Sequence, residues 1–109
     1  MSTLSTHVLD TALGKPAPGI RVTLERTEGE TLGSSLTDSD GRVRDFPPLR
    51  GSISDGEYRL RFAVAEYFAS NRRETFYSEI VIAFRVTGDE HYHIPLLLSP
   101  FGFSTYRGS

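Results

Sequence analysis

The 109-residue chain contains no cysteine. That excludes a disulfide scaffold, a thiolate nucleophile and a cysteine metal site together. No apolar run approaches the roughly 20 residues that a membrane-spanning helix requires. The opening MSTLSTHVLD has neither a charged leading region nor a long apolar core, so it does not read as a secretory signal. Neither sign of charge is in large excess. The formal net charge is −2 and no basic run appears, which gives nucleic acid or a membrane surface no purchase. These absences predict a soluble, cytoplasmic protein. Histidine is scarce too, with only His7, His91 and His93.

What is present is enough for a core. Apolar residues make up 38% of the chain and charged residues 24%. The length fits one domain spanning residues 1–109. Period-two alternation dominates, so the expected class is all-β. Leu4 to Leu9 reads as a first strand, and Ile20, Val22 and Leu24 mark a second. Between them, Lys15-Pro16-Ala17-Pro18-Gly19 is expected to be irregular, because its prolines fix φ and remove donors. Thr31 to Thr37 reads as a weaker strand. Asp40-Gly41 then predicts a tight hairpin of type I′, with Arg42 to Phe46 returning beside it.

The clearest strand follows, with Tyr58, Leu60, Phe62 and Val64 on one face. Ala65 to Asn71 loses the alternation and predicts one or two helical turns. Glu79 to Val86 and His91 to Leu98 are further strands, and Thr105-Tyr106 suggests a last short one. Seven or eight strands with a single short helix predict a sandwich of two antiparallel sheets.

The candidate chemistry gathers on three segments. In the last long strand Tyr92, Ile94, Leu96 and Leu98 form the apolar face, so His91 and His93 share the opposite face. His7 lies opposite Leu4, Thr6 and Val8, in a strand whose alternation leaves the buried face undecided. Arg42 follows the Asp40-Gly41 turn. The end, Ser104-Thr105-Tyr106-Arg107-Gly108-Ser109, offers hydroxyls, a guanidinium and a carboxylate. Phe101 and Phe103 are expected to dock, since a loose tail would leave both in water.

Each segment has a plainer reading: solvated histidines, an ordinary surface turn, a frayed end. Asp38-Ser39-Asp40-Gly41 hints at a calcium loop but lacks the required ligand positions and closing glutamate. His-x-His with a third histidine is a weak zinc pattern. Metal-free acid–base hydrolysis is the other reading, with a histidine activating water and an arginine holding developing negative charge.

Three blocks resemble the transthyretin-like 5-hydroxyisourate hydrolases of urate breakdown. They are STHVLDTALGKPAPG from Ser5, TDSDGR from Thr37, and HYHIPLLLSPFGFSTYRGS from His91. YRLRFAVAEYFA and FYSEIVIAF are similar to the segments between them. Ser78 stands where a proline is common, and Phe101 and Phe103 where tyrosines are common.

The resemblance implies an eight-stranded transthyretin-like β-sandwich that assembles as a homotetramer, with sites at a dimer–dimer interface. It implies hydrolysis of 5-hydroxyisourate without cofactor or metal. His7, Arg42 and His93 match the catalytic positions; His7, Arg42, Tyr106 and Ser109 match those that hold substrate. His91 matches a common family residue without an assigned catalytic part. Transthyretin itself, a carrier of small ligands, shares the architecture and sets the alternative expectation of binding without catalysis.

Overall fold

The computed structural model describes residues 1–109. Nine strands and one helix follow the chain: β1 (Thr3–Asp10), β2 (Lys15–Pro16), β3 (Arg21–Arg26), β4 (Thr31–Leu36), β5 (Arg42–Val43), β6 (Gly56–Phe62), α1 (Val64–Ser70), β7 (Ile80–Val86), β8 (His91–Ser99) and β9 (Gly102–Thr105). One sheet runs β2-β1-β8-β9, with β5 also paired to β1. The other runs β4-β3-β6-β7. The two pack face to face over one core of 22 buried residues. No helix is long and apolar enough to cross a membrane.

The expected sandwich is present, and the alternation that predicted it is what fills its core. Tyr58, Leu60, Phe62 and Val64 are all buried, as are Tyr92, Ile94, Leu96 and Leu98. β1 resolves the ambiguity around His7: Leu4, Thr6 and Val8 point inward, and His7 points out, half-buried. The hydroxyl of the buried Thr6 donates to the carbonyl of Ile94 at 2.6 Å, which satisfies a polar group in the core.

Three local expectations are corrected. Lys15-Pro16 is a two-residue strand, paired antiparallel to Leu9 and Asp10. A proline fits there because β2 lies at the end of its sheet, where its missing N–H removes no ladder bond. The Asp40-Gly41 turn does not close a hairpin. β4 belongs to one sheet and β5 to the other, so the turn carries the chain across the sandwich, and the return strand is only Arg42–Val43.

The turn itself spans Asp38 to Gly41, with the Gly41 N–H donating to the Asp38 carbonyl. Positive φ falls on Gly41 alone, at +76°, and not on Asp40. A side chain there would also meet the Val8 carbonyl at 2.4 Å, so glycine lets the turn close onto β1. Finally, β1 and β8, the first and last long strands, pair in parallel from Thr3 opposite His91 to Asp10 opposite Leu98. The other pairings are antiparallel.

Helix α1 is short and held by tertiary contacts. Val64, Tyr67 and Phe68 bury one stripe of it. It has no side-chain N-cap, and Arg72, at φ +56°, turns the chain out of it.

Candidate active site on the outer face of the β1–β8 sheet

The parallel register of β1 and β8 decides which side chains meet. Thr3 pairs with His91, Ser5 with His93 and His7 with Pro95. On the other flank of β1, His7 pairs with Arg42 of β5. Residues directly opposite in neighbouring strands share a face. Arg42, His7, Ser5, His93 and His91 therefore lie on one outer face in successive registers, as a staggered row across it. His7 and His93 are one strand and two residues apart, about 8 Å between Cα atoms from strand spacing and rise.

The loop before β5 sets the position of Arg42. The Asp38 carboxylate accepts hydrogen bonds from the N–H groups of Asp40 and Arg42, at 2.9 and 3.0 Å. The Asp38 N–H donates to the Arg42 carbonyl at 3.0 Å. These bonds pin the Arg42 backbone and leave its side chain free. No carboxylate pairs with the Arg42 guanidinium, although nine ion pairs form elsewhere in the chain. An unpaired, half-buried cation on the same face as the imidazoles is a ready receptor for an anion.

That cation also tunes His93. Burial lowers the His93 pKa below the ordinary 6.5, and the nearby Arg42, His7 and His91 lower it further. His93 is therefore neutral at physiological pH, with a lone pair available. Its Nδ1 lies 2.8 Å from the Ser5 hydroxyl, and the same hydroxyl lies 2.9 Å from His91 Nε2. His91 Nδ1 meets the Thr3 hydroxyl at 2.6 Å. Ser5 and Thr3 carry no signal in the sequence by themselves. Only the parallel pairing sets them against the histidines.

The chain end closes over one side of the row. β9 pairs with β8 from Leu96 to Ser99. The Thr105 hydroxyl donates to the Pro95 carbonyl at 2.7 Å, and the Gly108 N–H donates to the His93 carbonyl at 2.7 Å. Gly108 touches His93 so closely that a Cβ there would stand 2.7 Å from the imidazole Cδ2. Arg107 pairs with Glu90 at 2.6 Å and lies over the Tyr92 ring at 4.4 Å. The tail is thus docked by its backbone and by Arg107. Its phenylalanines contribute less than expected. Phe103 packs edge-on against Tyr77, but Phe101 is 69% exposed.

Of the expected site residues, Arg42, His7 and His93 come together, and Ser109 follows directly on the glycine bonded to His93. Tyr106 lies elsewhere in the single chain. It lines a cleft of about 190 Å³ at the open edge of the sandwich, with Ile82, Phe84, Tyr92, Ile94 and Arg107. No three imidazole or carboxylate groups converge at a spacing that would ligate a metal ion.

A two-sheet sandwich bearing imidazoles and an unpaired guanidinium on one outer face defines the class: a transthyretin-fold protein with a surface suited to acid–base chemistry. A profile described as the HIUase/Transthyretin family matches residues 4–108, and the chain belongs to that family.

Its relatives include proteins named 5-hydroxyisourate hydrolase. The one from Deinococcus radiodurans is 47% identical over 97% of this chain and 95% of its own length. That from Caulobacter vibrioides is 44% identical over the full length of both. Among solved structures, Klebsiella pneumoniae 5-hydroxyisourate hydrolase superposes with a TM-score of 0.92 at 43% identity, covering both chains completely. Sea bream transthyretin, solved with thyroxine, shares the fold at a TM-score of 0.88 and 23% identity, over 97% of this chain and 94% of its own.

Proposed function

We propose that the chain hydrolyses 5-hydroxyisourate to 2-oxo-4-hydroxy-4-carboxy-5-ureidoimidazoline in urate breakdown. The observation that carries this reading is the row formed by unpaired Arg42, His7 and neutral His93 on one sheet face. Hydrolysis of a cyclic amide needs a base for water, a cation for the developing oxyanion and a donor for the leaving nitrogen. His93, whose pKa is lowered, takes the proton from water. Arg42 holds the anionic substrate and the charge that builds on the attacked carbonyl. His7, beside Arg42, handles the second proton.

Tyr106 and Ser109 position the ring. Tyr106 sits away from the row, so it serves the site of a neighbouring subunit in a homotetramer whose sites lie between dimers. Covering the row also excludes water, which strengthens every charge interaction within it. No cofactor or metal enters this scheme.

The test is the decay of 5-hydroxyisourate generated from urate. The chain should accelerate it, and His7→Ala or Arg42→Ala should each lower turnover by about two orders of magnitude or more. Near-full activity in both variants would sink the role assignment. Tight binding of a small ligand without hydrolysis would favour a carrier instead.

A further inference from the structure

The hydrolase reading gives no role to His91 or Ser5, yet both are fixed by contacts that a solvated surface would not need. His91 is exposed, and water could satisfy both of its ring nitrogens. Instead two different hydroxyls hold it, Thr3 at Nδ1 and Ser5 at Nε2. Ser5, largely buried, bridges His91 to His93. The result is one continuous hydrogen-bonded chain, Thr3–His91–Ser5–His93.

A hydroxyl has one proton to donate and two lone pairs, and a neutral imidazole has one donor and one acceptor nitrogen. Two settings of the chain satisfy every contact. In the first, His91 Nδ1–H donates to Thr3, Ser5 donates to His91 Nε2, and His93 Nδ1–H donates to Ser5. His93 Nε2 then bears a lone pair. In the second, each bond is reversed, and His93 Nε2 carries a proton. Passing between the settings relays a proton from one end to the other with no imidazolium left behind.

We propose that Ser5 and His91 are positioning residues for His93: the chain presents its Nε2 as the base and conducts the proton it collects out to solvent at Thr3. This rests on the hydrolase reading above. In the step, the water oxygen forms a bond to the ring carbonyl carbon, and the carbonyl electron pair moves onto oxygen beside Arg42. The water proton goes to His93 Nε2. The His93 Nδ1 proton passes to Ser5, the Ser5 proton to His91 Nε2, the His91 Nδ1 proton to Thr3, and the Thr3 proton to bulk water. One proton enters and one leaves. The reverse passage gives that proton back from His93 Nε2, and His7 hands it to the leaving nitrogen when the C–N bond breaks.

The groups facing His93 are His7 on β1, Arg42 on β5 and His91 on its own strand, and all three lower its pKa. On the tail, Arg107 is taken up by Glu90. Replacing His91 by a neutral residue therefore moves the acid limb of the activity profile towards higher pH.

The test uses the full-length chain with Ser5→Ala, Ser5→Thr and His91→Gln. Turnover of urate-derived 5-hydroxyisourate is followed from about pH 5 to about pH 9, and imidazole ¹⁵N spectra are recorded without substrate. Ser5→Ala should lower kcat about tenfold or more with KM within about twofold. Ser5→Thr should restore most of it, and His91→Gln should lower kcat and shift the acid limb upward. The His93 Nδ1 signal should change in Ser5→Ala and return in Ser5→Thr.

An unchanged nitrogen spectrum in Ser5→Ala overturns the chain whatever the activity. A changed spectrum with unchanged kcat overturns its part in turnover. Absence of hydrolysis by the unaltered protein overturns the hydrolase reading and the relay's catalytic role with it, while the spectra still decide whether the hydrogen-bonded chain exists.

Discussion

At the scale of single residues, His93 is defined by its surroundings. Alternation along β8 places it on the outer face, and that much is legible from the sequence. Its base character is not, because the lowered pKa comes from burial and from Arg42, His7 and His91, which lie on three strands. The sign follows from linkage. Folding disfavours the protonated form, so the unfolded chain takes up the proton first. The histidine's stabilising contribution is present above the ordinary pKa of 6.5 and is lost as pH falls from there through the folded value. Replacing Arg42 by methionine removes one of the lowering charges while keeping a long side chain. The His93 titration, followed by NMR, should move up towards 6.5. A titration that stayed in place or moved down would mean that the Arg42 charge does not face His93.

At the scale of elements, what the sequence discloses depends on whether a signal is local. Strand identity is local, and the alternation of Tyr58 to Val64 and of Tyr92 to Leu98 reads directly as core-facing ladders. Strand pairing is not local. The side chains of β1 and β8 carry no mark of a parallel register, and an Asp-Gly turn can cross between sheets as readily as it can close a hairpin. Ser5 was invisible as a site residue for that reason.

The end of β1 shows a second long-range device. Asp10 is fully buried, and it accepts hydrogen bonds from Arg73 at 2.7 and 3.2 Å, from the Tyr67 hydroxyl at 2.7 Å and from the Leu13 N–H at 3.1 Å. Burial pushes the carboxyl up, but these donors and the Arg73 charge outweigh it and hold the pKa below the ordinary 3.8. Burial and the Asp10 charge push the Tyr67 hydroxyl up to about 12. Asp10 thus ties α1 and the segment after it to β1. Asp10→Ala should destabilise the fold by about 3–5 kcal/mol, as expected when one partner of a buried ion pair is removed. Its lowered pKa also means that the lock is whole above about pH 4 and fails as acid protonates it. Urea midpoints at neutral and acid pH check both: a loss below about 1 kcal/mol would make the cluster no stronger than a surface pair.

At the scale of the whole molecule, the core and the tail occupy different parts of the chain. The last core residue is Leu98, and nothing from Ser99 to Ser109 is buried. Removing the residues beyond β9 therefore takes nothing from the core. The tail nevertheless pairs along β8, bonds the carbonyl of His93 through Gly108 and braces itself on Glu90 through Arg107. It is ordered against the site without entering the core, which is the distribution expected of a functional segment. The exposed Tyr106, in a cleft that opens at the edge of the sandwich, fits the same assignment.

Removing Tyr106 to Ser109 leaves β9 in place, since that strand ends at Thr105. The truncated chain should melt cooperatively with an unchanged far-ultraviolet spectrum, yet lose hydrolysis of 5-hydroxyisourate by about two orders of magnitude or more. Retained turnover would release the tail from the site. Loss of the cooperative transition would instead make the tail a structural brace, and the activity of the shortened protein would then say nothing about chemistry. Size-exclusion chromatography of the same sample separates these outcomes from a change of assembly, because a folded, inactive truncation that elutes as the full-length chain does is the one result in which the tail acts on the substrate.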